Sequence, residues 1–169
     1  MKKTCEWPSN NELMIKYHDE EWGLPVHDDK KLFELLVLES AQAGLTWQTI
    51  LNRREGYRKA FSNFDYRKVA KYTKKDIERL MKDESIIRNR LKIESTIINA
   101  QKFLEIKKEF GSFDKYIWQF TNHRTINNRI KKEAEIPSTS RESDAMSKSL
   151  KERGFKFVGS TTCYAYMQA

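Results

Sequence analysis

Residues 32–50 read LFELLVLESAQAGLTWQTI, and the fold turns on how this stretch winds. On a helix, Leu32, Leu35, Leu36 and Glu39 share one side, following the i, i+3, i+4, i+7 spacing of a buried stripe. Three are leucines and the fourth is a carboxylate. Taken with its flank, DDKKLFELLVLESAQA is an amphipathic helix whose first-turn acids suit the helix dipole. Gly44 interrupts it, and TWQTILNRREGYRKAF resumes helical spacing.

The remaining segments are helical too. NELMIKYHDEEWG reads as a short helix ended by Gly23. TKKDIERLMKD opens with Thr73 and Asp76 at capping-box spacing. RNRLKIESTIINAQKFLEIKKEF carries Leu91, Ile98 and Phe103, and SFDKYIWQF is capped by Ser112. Periodicity fades over 121–138. TSRESDAMSKSLKERG restores a helix, with Thr139 and Glu142 as a capping box and Gly154 as the stop. FKFVGSTTCYAYMQA then makes a turn into a last helix. No strand, repeat or low-complexity tract stands out, and the class is all-α.

The chain has 169 residues, enough for one domain over 1–169 or two small lobes around a shared core. Apolar residues make up 38% and charged residues 33%. No run is long enough to span a membrane, and the start MKKTCEWPSN is no secretory signal. The net charge of +8 favours a polyanionic partner, nucleic acid before an anionic membrane. Two cysteines, Cys5 and Cys163, fit a reducing cytoplasm better than a disulfide scaffold.

Glu39 leaves two readings open. It leans to solvent or meets an arginine, or it lies at the floor of a pocket awaiting a cationic or hydrogen-bond-donating ligand. Trp7, Tyr17, Trp22 and Trp47 all fall close to it in sequence. Each alone fits a core, but together with a carboxylate they would cage a flat, positively charged heterocycle. In the last hairpin, Val158, Gly159 and Ser160 would present N–H groups at a helix start, where the dipole favours a phosphate, with Lys156 and Lys151 nearby. The plainer alternative is a helix hairpin in which Gly159 only begins the helix. Cys5 and His18 make at most half of a zinc site. The charges in HDEEW and EIKKEF read as solvated faces.

CEW, YHDEEWG, LFELLVLESAQAGLTW, IIRNRLKIESTIINA and IPSTSRESDAMSKSLKERGFKFVGSTTCYAYMQA, in this order, resemble the bacterial 3-methyladenine DNA glycosylase I family of the helix-hairpin-helix superfamily. The resemblance covers essentially the whole chain. It implies a helix-hairpin-helix glycosylase-type bundle and a monofunctional enzyme that flips N3-methyladenine out of alkylated double-stranded DNA and hydrolyses its glycosidic bond. It assigns Glu39 to contact with the excised base, Tyr17 and Trp47 to its pocket, and Trp7 and Trp22 to the pocket wall. Gly44 and Leu45 inherit the corner that enters the DNA, and the hairpin from Phe155 to Gly159 inherits phosphate anchoring. A cytoplasmic monomer releasing free 3-methyladenine follows from the same resemblance.

Two departures stand out. The superfamily hairpin commonly reads Leu-Pro-Gly-Val-Gly, whereas this one reads Phe-Lys-Phe-Val-Gly, which implies a looser turn. The family's structural zinc joins Cys5 and His18 to a His and a Cys beyond the MQA segment, so only a partial site is present. The catalytic Asp that many superfamily members carry after the hairpin is absent from the residues after Gly159. The competing reading is a non-catalytic helix-hairpin-helix DNA-binding protein.

Overall fold

The computed structural model describes residues 5–8 and 10–169, and among them no strand occurs. The helices are α1 (Glu12–Glu20), α2 (Asp29–Gln42), α3 (Trp47–Asn52), α4 (Arg54–Ala60) and α5 (Tyr66–Val69). After them come α6 (Lys74–Met81), α7 (Arg90–Phe110), α8 (Phe113–Trp118), α9 (Arg141–Glu152) and α10 (Ser160–Gln168). None of the described helices is long and apolar enough to cross a membrane.

α2 is the axis, packing against α3, α7, α8 and α10. Every residue from Leu32 to Ala41 is buried. From Leu32 to Ala41 the expected amphipathic helix is therefore an enclosed one, because neighbours cover this stretch on all sides. Asp28 caps it by accepting from the Lys31 N–H at 2.8 Å. Asp29, in its first turn, accepts from the Phe113 and Asp114 N–H groups and so caps α8, while pairing with Lys107. At the far end of the chain, the Tyr166 hydroxyl donates to Leu32 O at 3.0 Å, which locks α10 onto α2.

Three local expectations change. The segment after Gly44 forms two helices, α3 and α4, because the chain breaks at Arg53. α9 is capped by Ser140 with Ser143, not by Thr139 with Glu142. On α7, Leu91 is 67% exposed, and the inward face runs through Ile93, Ile97, Ala100, Phe103 and Ile106. The Thr73–Asp76 capping box and the Ser112 cap are present as read from the sequence.

Candidate active site

Two glutamates on α2 are almost equally buried, yet they sit in opposite environments. Glu34 is 6% exposed and Glu39 is 5% exposed. Glu34 is surrounded by cations: Arg54 Nε donates to it at 2.7 Å, Arg58 at 3.2 Å and Lys31 at 3.4 Å. Glu39 has no such company. Its Oε2 is buried with no hydrogen-bond partner, and burial pushes its carboxyl up to about 8. Glu34 is thus the glutamate that meets an arginine, and Glu39 is the carboxylate left open.

The aromatic residues gather in a chain beside it. Trp22 meets Trp7 edge-on at 5.3 Å, Trp7 meets Tyr17 at 6.4 Å, and Tyr17 meets Trp47 at 5.2 Å. Tyr17 is 2% exposed. Its hydroxyl is pushed far above the ordinary phenol range, first by burial and then by the Glu39 charge. The indole N–H groups of Trp7 and Trp47 are also buried without partners. Among the described residues four buried side-chain atoms lack a partner, and three of them belong to Trp7, Glu39 and Trp47. Buried polar atoms are nearly always satisfied, so such a cluster marks a place where a ligand supplies the missing bonds. A cavity of about 910 Å³ touches Trp7 and Trp22 but not Tyr17, Glu39 or Trp47. It runs between the N-terminal segment, residues 124–136 and α10, and backs onto the aromatic wall from outside.

The site is held in place by ion pairs. Arg54 grips Glu21 with two hydrogen bonds of 2.7 and 2.8 Å while also holding Glu34. Glu21, expected on a solvated face, is instead part of this partly buried network. Lys107 with Asp29, in the second segment read as a solvated face, is likewise an inter-helix pair.

The corner after α2 places Gly44 at φ +77° with open space around it, and Leu45 beside it is 38% exposed. The hairpin runs from Phe155 to Gly159. Phe157 adopts φ +54°, so this non-glycine residue takes the left-handed conformation. Asn99, 3% exposed on α7, braces the residue before it: its Oδ1 accepts from Lys156 N–H at 2.8 Å and its Nδ2 donates to Lys156 O at 2.9 Å. Ser147 donates to Val158 O at 2.7 Å, and Ser40, adjacent to Glu39, donates to Phe157 O at 3.4 Å. The hairpin is therefore fastened directly to the helix bearing Glu39.

Gly159 is the N-cap of α10 and carries no competing side chain, while Lys156 is exposed beside it. Val158 is buried, and the Ser160 hydroxyl is engaged by Asp144 at 2.5 Å, so any anion there meets backbone N–H groups rather than that hydroxyl.

Asn99 was missed in the sequence reading, although a lone amide on the apolar face of α7 is the same kind of signal as Glu39. Asn99→Ala strands both backbone groups of Lys156, at a cost of about 1–3 kcal/mol. We expect a lower Tm, measured by thermal melts. An unchanged Tm would show that the hairpin does not need Asn99.

Cys5 is exposed, and His18 lies between Trp7 and Trp22 with its Nδ1 2.7 Å from Asp19 Oδ1. A carboxylate on one ring nitrogen is how a metal-ligating histidine is commonly oriented. Among the described residues no group of three or more His, Cys, Asp or Glu side chains is arranged to hold a metal ion, so these two do not close a site by themselves.

A family model described as methyladenine glycosylase matches residues 7–169. DNA-3-methyladenine glycosylase 1 of Escherichia coli K12 is 48% identical over 165 residues, covering 98% of this chain and 88% of that protein. The DNA-3-methyladenine glycosylase of Haemophilus influenzae is 45% identical over 169 residues, covering 100% and 91% respectively. A structure of 3-methyladenine DNA glycosylase I from Staphylococcus aureus, determined for its recognition of 3-methyladenine, superposes with a TM-score of 0.95. It is 38% identical and covers 98% of this chain and 88% of its own. With the aromatic cluster, the open carboxylate and the hairpin in one all-helical frame, these matches show that the chain belongs to the methyladenine glycosylase family.

Proposed function

We propose that the chain is a monofunctional DNA-3-methyladenine glycosylase that takes N3-methyladenine out of alkylated duplex DNA and hydrolyses its glycosidic bond. The observation that carries this reading is the buried, unpartnered Glu39 carboxyl beside the Trp7–Tyr17–Trp47 cluster.

Methylation at N3 makes the nucleobase cationic, so the C1′–N9 bond is already weak and both its electrons leave with the base, which departs neutral. Water adds to C1′ and gives up a proton. The protein has no need to protonate the leaving group. Its task is to extrude the nucleotide and hold a flat cation, and extrusion is least costly for a damaged base. Ring faces and an ionised Glu39 stabilise that cation, each by roughly 1–2 kcal/mol in a desolvated site. The unpartnered indole N–H groups are available to orient it. Gly44 and Leu45 enter the duplex in this reading, and Gly159 with Lys156 anchors a phosphate. A zinc ion on Cys5 and His18, with further ligands from elsewhere, would tether the N-terminal segment; no step of excision runs through it. A cytoplasmic monomer is the form proposed for the enzyme.

The test is release of 3-methyladenine from alkylated duplex DNA, with affinity followed as salt rises. We expect base release, and affinity that falls steeply between about 50 and 200 mM salt as phosphate contacts are screened. Duplex binding with no base released would favour the non-catalytic DNA-binding reading instead.

A further inference from the structure

We propose that Lys92 is a positioning residue that holds the Ala43–Gly44–Leu45 corner rigid for entry into duplex DNA. The assignment rests on the proposed function in one respect, namely that this corner penetrates the helix.

Lys92 Nζ donates to Ala41 O at 2.8 Å and to Ala43 O at 2.6 Å. These are carbonyls at the end of α2, where the last turn has no partners of its own and the dipole is negative. α2 carries no basic residue in its own last turn, so the charge is brought from another helix. Its source is costly: Lys92 lies in the first turn of α7, which contains no acid, and a cation there opposes the dipole of α7. Among the described residues no carboxylate pairs with it, and burial draws its ammonium below the usual lysine range. A lysine placed against its own helix dipole, without a counter-ion, serves the neighbour it touches.

That neighbour has little else to fix it. Within the corner, Leu45 N–H donates to Gln42 O at 2.6 Å. Gly44 has nothing within 4 Å of where a Cβ would stand, so the corner projects into open space. Without Lys92 the corner must be ordered as it enters the DNA, and that ordering opposes extrusion. A base that is already unstacked needs no wedge, so the effect is specific to duplex.

The experiment compares Lys92→Met with the unsubstituted full chain on alkylated duplex and alkylated single-stranded DNA, together with binding of free 3-methyladenine followed by tryptophan fluorescence. We expect kcat/KM on duplex to fall by about tenfold or more, with single-strand release and free-base affinity held within about twofold. Lys92→Arg, which keeps the charge and two donors, should recover most of the duplex rate. Equal losses on both DNA forms would mean a general structural role and overturn the assignment, as would an unchanged duplex rate. If the methionine variant does not fold, Lys92→Gln gives the same duplex-to-single-strand ratio, and a ratio equal to that of the unsubstituted chain overturns it. No release from either DNA by the unsubstituted chain would overturn the glycosylase reading, and this assignment with it.

Discussion

Glu39→Gln should lower excision of 3-methyladenine from duplex DNA by about 10- to 100-fold while leaving the fold intact or more stable. The substitution keeps shape and hydrogen-bonding capacity but removes the charge that balances a cationic base. Burial holds the carboxyl at about 8, so near neutral pH it is mostly protonated. A cation entering the site favours the ionised form, and the carboxyl loses its proton as the lesion is bound. For the unsubstituted chain kcat/KM should therefore rise with pH towards about 8 and level above it. The glutamine variant should be slower and lack that rise. Equal rates would move recognition onto the aromatic rings.

The same group makes a stability prediction of opposite sense. The Glu39 pKa is higher folded than unfolded, so between the two values the native state binds the extra proton. Stability is therefore fully present below about pH 4.5, declines as pH rises towards about 8, and is flat above it. Glutamine removes this dependence. The Tm advantage of Glu39→Gln should be small near pH 5 and reach its maximum above pH 8, where it corresponds to a few kcal/mol, on the order of 5–10 °C. A Tm difference that stays constant from pH 5 to 9 would show that Glu39 does not titrate differently on folding.

Much of this arrangement is legible in local sequence, because helix period, caps and stop signals are local physics. The helices, the Thr73–Asp76 box and the odd carboxylate among leucines could all be read from nearest neighbours. What escaped is long-range. Arg54 meets Glu21 and Glu34, which lie 33 and 20 residues away, and no periodicity announces such partners. The enclosure of α2 was hidden for the same reason: Lys31 and Glu34 give it polar positions that partners from other segments then cover. Leu91 shows the reverse, an apolar residue in phase with the helix that the fold leaves in water. The left-handed Phe157 also runs against local preference, and the neighbouring Lys156 backbone is held by Asn99 from a helix distant in sequence.

Arg54→Met should be the most destabilising single change in the site region, at about 3–5 kcal/mol, because it leaves buried carboxylates short of their strongest partner. Glu34 suffers most, since it retains only Arg58 at 3.2 Å and Lys31 at 3.4 Å. Glu21 is less enclosed, and solvent tempers its share. The deficit has its own pH signature. Hydrogen bonds from Arg54 hold Glu21 down at about 2, so that contribution is present above the ordinary carboxylate range and is lost as pH falls towards 2. The Tm gap between Arg54→Met and the unsubstituted chain should thus be steady from pH 5 to 9 and narrow below about pH 4. Lysine at this position keeps a charge but cannot grip both carboxylates in a planar fork, so it should recover only part of the loss. Activity should fall with the clamp. The Glu21 and Trp22 N–H groups both donate to Tyr17 O, so the end of α1 that Arg54 secures also carries two members of the aromatic wall. A folded Arg54→Lys variant should consequently excise more slowly, by about tenfold, with salt dependence of DNA binding unchanged. Wild-type excision by that variant would mean that α2 and α3 alone keep Tyr17 in place, leaving the ion-pair network to stability only.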